Sequence, residues 1–225
     1  MPRYKLVIEY DGTRFSGWQR QASDPSVQQS VEEAVEAFCG HPVRLHCAGR
    51  TDVVRDASNA RLKALVPVSV LSAEIVPDDF DARISARRRY YIYPILDRRA
   101  PPALDRNRVW HVPVKLDPEA LDRAAKALLG QHDFTTFRAA ECQANSPIRT
   151  LDRLDVRREG SEIVVYTHAR SFLHHQVRSI VGSLKMVGAG RWPEDRMGQV
   201  LAARDRSQCA ALAPSSGLYL AGVDY

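Results

Sequence analysis

A chain of 225 residues that is 44% hydrophobic and 26% charged has enough apolar side chain for a substantial core, and this balance excludes a disordered or fibrous polypeptide. Its 32 Lys and Arg against 27 Asp and Glu leave a formal charge of +5, which permits a nucleic-acid partner without requiring one. No run is long and apolar enough to span a membrane, no apolar leader core opens the chain, and Cys39, Cys47, Cys142 and Cys209 form no C-x-x-C pair, so reduced thiols in a cytoplasmic protein are expected.

Residues 3 to 10 alternate as a strand, with Tyr4, Leu6, Ile8 and Tyr10 on one face. Asp11-Gly12 is a turn signal, and Phe15-Ser16-Gly17-Trp18-Gln19-Arg20-Gln21 follows as a loop. Its rings, amides and Arg20 suit either contact with nucleic acid or an apolar plug under the loop. Asp24 as cap and Pro25 at the first position predict a helix, with Val27, Val31, Ala34, Val35 and Phe38 on its apolar face and Gly40 as its stop. Val43 to Ala48 alternates as a strand that Gly49 breaks. Arg50, Thr51 and Asp52 then place a cation, a hydroxyl and a carboxylate at a strand end. Taken alone, Gly49-Arg50-Thr51-Asp52 reads first as a turn closed by an Asx-type bond. A helix is expected beyond Asp52, with Val53, Ala57, Ala60 and Ala64 on one face and Pro67 as its end, before a strand through Val68, Val70, Ile75 and Val76.

Residues 86 to 96 read as a strand whose period of two puts Arg87, Arg89, Tyr91, Tyr93 and Ile95 on one face. That face is basic at one end and aromatic at the other. Cations attract phosphates and flat rings stack on bases, but a half-buried strand with a solvated end has the same pattern. Asp97-Arg98-Arg99-Ala100-Pro101-Pro102-Ala103 reads as a linker, which divides the chain into units 1–100 and 101–225. Asp105-Arg106-Asn107-Arg108 adds solvated cations, and Trp110 opens the second unit.

Asp117-Pro118 starts a helix with Leu121, Ala124, Ala125, Leu128 and Leu129 on its apolar stripe and Gly130 as its close. His132 to Pro147 reads as a long polar loop anchored by Phe134 and Phe137. Leu151–Arg158 and Glu162–Ala169 form a hairpin around Glu159-Gly160. His174 and His175 enter the next helix, where consecutive side chains point about 100° apart, so they favour a structural or RNA-contacting role over a metal site. Arg178 sits beside the apolar face of Val177, Ile180, Val181 and Leu184, as a guanidinium in need of a carboxylate. Trp192-Pro193 opens a last helix, and Gly217 to Val223 closes the chain as a strand. The expected class is α+β: two similar α/β units with antiparallel sheets and helices on the outer face.

Tyr10-Asp11-Gly12 with Phe15-Ser16-Gly17-Trp18-Gln19, Gly49-Arg50-Thr51-Asp52, Arg89 to Tyr93, Asp133-Phe134-Thr135-Thr136-Phe137, Phe172 to Arg178 with Val181-Gly182, and Gly217-Leu218-Tyr219-Leu220 occur in one order. Together they resemble the tRNA pseudouridine synthase A family, from about Tyr4 to Tyr225. The resemblance implies two units joined into a pseudouridine-synthase-like core. It implies isomerisation of uridine at positions 38, 39 and 40 of the tRNA anticodon stem-loop, a homodimer, and neither metal nor organic cofactor. Asp52 matches the catalytic aspartate, Tyr91 the tyrosine that stacks on the target base, and Arg178 the arginine that pairs with the aspartate. Arg50 matches an arginine that helps to flip the base. Arg20, Arg87, Arg89, His174 and His175 are the further candidates for RNA contact.

In that chemistry the C1′–N1 bond breaks, the uracil turns, and C5 bonds to C1′. An ionised Asp52 acts as nucleophile at C6 or as base towards a glycal-type intermediate, and a paired Arg178 lowers its pKa. Taking the base out of its stack costs roughly a few kcal/mol.

One departure stands out. By the family's spacing, roughly fifteen to twenty-five residues, enough for a strand and its loop, lack a counterpart at the Asp52–Val53 junction. The expectation is a segment that the protein has but the structure leaves out, in which case the Asp52 and Val53 Cα atoms lie well beyond the ~3.8 Å of a trans peptide. The alternative is a true deletion, which would leave a non-catalytic tRNA-binding or RNA-folding protein. A glycoside or nucleoside hydrolase needs paired carboxylates, and only one convincing carboxylate is present.

Overall fold

The computed structural model describes residues 3–20, 24–40, 56–60, 62–63 and 66–225. The chain forms two compact units, Met1–Ser85 and Ala86–Tyr225.

In the first unit, β1 (Arg3–Tyr10) pairs antiparallel with β2 (Val68–Val76), Tyr10 opposite Val68 and Arg3 opposite Val76. Helix α1 spans Val27–Cys39. Its cap is Ser26 and not the expected Asp24: Ser26 is extended and its side chain accepts from the Gln29 N–H at 3.2 Å, so the helix starts at Val27, beyond the Asp24-Pro25 pair. Gly40 ends the helix at φ 75, a left-handed turn that suits glycine. Residues 56–60 and 62–63 are helical (α2). Asn59 fastens α2 to β2 by two bonds, to the Val70 carbonyl and from the Val70 N–H. Val27, Val31, Val35, Leu62, Val68 and Val70 are buried together as this unit's core.

In the second unit the strands are β3 (Arg88–Leu96), β4 (Trp110–His111), β5 (Gly130–Asp133), β6 (Ile148–Glu159), β7 (Glu162–Ala169) and β8 (Tyr219–Asp224). They form one sheet in the order β4-β3-β7-β6-β5, with β8 also on β3. The sheet is mixed and not purely antiparallel, because β3 and β4 run parallel. Helices α3 (Pro118–Ala125), α4 (Gln176–Gly188) and α5 (Arg196–Ala203) share one core with the sheet. Leu121, Ile180, Leu184 and Val200 meet Tyr93, Ile95, Leu154 and Ile163 there. The α3 start is the expected one, Asp117 accepting from the Ala120 N–H with Pro118 following.

The expected boundary at residue 100 lies instead after Ser85. Strand β3 belongs to the second unit, because it is hydrogen-bonded to β7 from Arg89–Ala169 to Ile95–Ile163. The presumed linker is therefore a loop inside one sheet. The expected polar loop from His132 also changes character: its start pairs with β6, and Phe134 and Phe137 are fully buried.

Candidate active site

Strand β3 and the entry to α4 place the chemistry-bearing side chains of the second unit. Tyr91 stands opposite Thr167 of β7, and its ring meets Phe172 edge-on, with centroids 5.1 Å apart at 88°. Edge-to-face pairs of this kind fix ring orientation and add about 0.5–1.5 kcal/mol beyond area burial.

Two residues along, Tyr93 is 1% exposed, and its hydroxyl donates to the Pro214 carbonyl at 2.7 Å. Burial pushes this phenol far above its ordinary range, against a smaller downward pull from Arg178. The face expected to be basic and aromatic is thus open only at its Arg89–Tyr91 end. Tyr93 and Ile95 are core residues: the 214–217 segment packs on Tyr93, where a Cβ at Gly217 would meet its ring at 2.7 Å.

Arg178 lies in the first turn of α4, and its Nε donates to the Ala213 carbonyl at 2.7 Å. The Ala213 N–H in turn donates to the Arg178 carbonyl at 3.2 Å. Residues 213 and 214 therefore brace both Arg178 and Tyr93. Burial lowers the guanidinium pKa somewhat, but an arginine stays charged in protein. Among the described residues, no carboxylate lies within ion-pair distance of Arg178. Among the described residues, the Ala213 carbonyl is the acceptor of its side chain. The expected partner Asp52, with Arg50 and the rest of Gly49-Arg50-Thr51-Asp52, lies outside the described residues.

The two histidines sit ahead of the helix and not on it. His175 is the α4 cap at φ 60, and the His174 and His175 rings stack at 3.9 Å and 30°. The expected divergence of about 100° holds only on helical backbone, which here begins at Gln176. Burial, then His174 and Arg178, push the His175 imidazole down, with Glu141 opposing. Gln176, read only as part of a motif, and Cys142, read only as a reduced thiol, gain a role here. The Gln176 side chain accepts from the Leu173 N–H, and the Cys142 sulfur accepts from the His174 N–H, so both shape this turn. Phe172 was noticed only as part of a motif, because its contact with Tyr91 exists only once β3 and the α4 entry are folded together.

Of the remaining candidates, Arg89 donates from Nη1 to the Arg170 carbonyl at 2.5 Å, at the same end of the sheet as Tyr91. Arg87 is exposed just before β3, with its N–H on the Asp224 carbonyl. Arg20 belongs to the first unit, where its guanidinium lies 3.3 Å from the buried Glu32 carboxylate, so part of its role is structural. Among the described residues, no three His, Cys, Asp or Glu side chains are placed to hold a metal.

Residues 124–225, which carry α4 and most of this sheet, match a family model described as tRNA pseudouridine synthase. The whole chain is 58% identical to a protein of Methylobacterium nodulans, covering 96% of it, and 56% identical to one of Mesorhizobium japonicum, covering all of it. A Xanthobacter autotrophicus protein is 54% identical, again over the full length of both. All three are named tRNA pseudouridine synthase A. The match with the Methylobacterium nodulans protein runs over 246 positions against 225 residues here, so 21 of its positions face gaps. The expected shortfall is of that size. The 225-residue sequence runs directly from Asp52 to Val53, so the shortfall is in the sequence itself. The junction lies outside the described residues. Full-length identity above one half, with the motifs in order, leaves one conclusion: the chain belongs to the tRNA pseudouridine synthase A family.

Proposed function

We propose that this protein isomerises uridine to pseudouridine in tRNA at positions 38, 39 and 40 of the anticodon stem-loop, with Asp52 as nucleophile or base. The observation that carries the reading is the full-length match to relatives named for this activity. The second unit contributes what the chemistry needs beside Asp52. Tyr91, steadied edge-on by Phe172, offers a ring on which the extruded uracil stacks, offsetting part of the roughly few kcal/mol of unstacking. Arg178, held by Ala213, is the cation that this reading pairs with the catalytic carboxylate; such a pair keeps a carboxylate ionised at neutral pH. Arg50 takes the place of the flipped base. Arg89, Arg87 and the His174-His175 turn flank the aromatic end and meet phosphates or sugar.

The reaction is an internal transfer. The C1′–N1 bond is broken, the uracil turns, C5 bonds to C1′, the C5 proton leaves to water and N1 gains a proton. No electron acceptor and no co-substrate enter this balance. The active form is a homodimer in the cytoplasm. Treating tRNA with the protein and mapping pseudouridine by carbodiimide adducts and primer extension tests the site: new stops at 38–40 are expected, and stops elsewhere would reject it.

One observation favours a second reading, a tRNA-binding or RNA-folding protein without turnover: the 21 positions that the sequence lacks against its relative. That protein binds tRNA and leaves every uridine unchanged.

A further inference from the structure

The loop between β3 and β4 looked like a linker, yet both of its ends are fixed to the same sheet. At its start Asp97 is fully buried and receives both Nη groups of Arg158, at 2.9 and 2.8 Å, and the Leu116 N–H at 3.1 Å. His111 Nε2 lies 2.7 Å from the Arg98 carbonyl. At its end the Tyr219 hydroxyl donates to the Arg108 carbonyl at 2.7 Å. Asn107, at φ 67, turns the chain back.

Between these anchors the loop projects Arg98, Arg99, Arg106 and Arg108, all exposed, with Asp105 as the only acid. Residues 98–108 thus carry a net three of the chain's five positive charges. Arg98 Nε bonds to the Ala100 carbonyl of its own loop, and Arg99 and Arg106 have no partner among the described residues. Leu104, at the tip, is 93% exposed.

A solvated charge run is ordinary on a protein surface. This one differs in two ways. A buried ion pair and two carbonyl ties hold it in one shape, although crowding like charges opposes that. An apolar side chain is also set out in water among the cations. Forked guanidinium groups at fixed positions suit the oxygens of a phosphodiester chain, and an exposed leucine suits the apolar face of a ribose. The end of the loop is tied to β8, the neighbour of β3: Tyr219, which holds Arg108, pairs with Ile92, the residue after Tyr91.

We propose that residues 98–108 form a second RNA contact, gripping the sugar–phosphate backbone outside the target nucleotide. The inference rests on tRNA as the substrate. The test is tRNA binding across a salt series, for the wild type and for Arg98→Ala/Arg99→Ala/Arg106→Ala. Each lost phosphate contact removes about 0.7–0.9 from the slope of log affinity against log salt. The triple variant is therefore expected to show a slope shallower by about 2 to 3, with its loss in turnover carried by KM more than by kcat. The residues are exposed, so an unchanged thermal melt checks the fold. A wild-type slope in the triple variant overturns the proposal, and that is also the outcome if an acidic protein surface is the real occupant. The tRNA reading fails separately, if the wild type neither binds nor modifies tRNA.

Discussion

Gly182→Ala sets two opposing effects against each other. In an exposed helix interior, replacing glycine by alanine gains about 1 kcal/mol. In α4, however, a Cβ at position 182 would lie 2.1 Å from the Ala211 carbonyl oxygen and 3.2 Å from both the Ala211 carbonyl carbon and the Ala213 nitrogen. These are backbone atoms that no rotamer change can move. Overpacking of this kind costs about 1–3 kcal/mol or more, so the variant is expected to lose stability on balance, by about 1–2 kcal/mol.

The displaced segment also carries the Ala213 carbonyl that holds Arg178 and the Pro214 carbonyl that holds Tyr93. A fall in kcat beyond the unfolded fraction is therefore expected. The internal control is Gly198→Ala in α5. There a Cβ meets only the Ala127 Cβ at 3.8 Å, and a gain of about 0.5–1 kcal/mol is expected. Urea midpoints read the stability at constant m, and pseudouridine formation at saturating tRNA reads kcat. A Gly182→Ala protein as stable and as active as the wild type would refute the packing of α4 on residues 211–213.

Asp97→Asn removes a buried carboxylate and strands Arg158; breaking such a pair costs about 3–5 kcal/mol, nearer the lower figure here because Arg158 is one-third exposed. Burial pushes the Asp97 carboxyl up, but the Arg158 and Leu116 bonds, with Lys115, outweigh it and hold the pKa below the ordinary value. The stability from this depression is present above the unfolded-state pKa and is lost as pH falls through the folded one. Acid titration of urea midpoints should show a flatter limb below about pH 4 in the variant; an unchanged limb would contradict the assignment. Tyr93, its phenol pushed up by burial, should ionise well above the ordinary phenol range, a step that the ultraviolet absorbance of wild type minus Tyr93→Phe resolves; ionisation near pH 10 would contradict its burial. Phe172→Ala should lower kcat about tenfold through a less ordered Tyr91, as the loss of an edge-to-face pair worth up to about 1.5 kcal/mol implies; equal kcat would remove Phe172 from the site.

Local chemistry made some elements legible and tertiary chemistry hid others. Asp117-Pro118 announces α3, and Glu159-Gly160 announces the β6–β7 hairpin, because a cap and a tight turn act over a few residues. The stretch after β3 misled for the opposite reason. Its prolines and charges resemble a boundary, but Asp97 is buried by Arg158, 61 positions away, which no local pattern reveals. The period of two in β3 correctly grouped Arg89, Tyr91 and Tyr93. It left open whether that face meets RNA or is half-buried, because only the fold brings residues 214–217 onto Tyr93 and makes it a core residue. Tyr91 and Arg178 were recognised by their motifs; that Phe172 sets the ring of one and Ala213 the guanidinium of the other emerges only from the fold.

The most direct measurement is tritium release from tRNA labelled at uridine C5, by the wild type and by Asp52→Asn side by side. Isomerisation replaces the C5–H bond by C5–C1′, so each turnover frees one label to water, which binding alone or cleavage of the C1′–N1 bond does not. The account predicts multiple-turnover release by the wild type and none by Asp52→Asn, with tRNA affinity nearly intact because phosphate contacts dominate binding. Release by Asp52→Asn at the wild-type rate, or tight tRNA binding by the wild type without release, would contradict it.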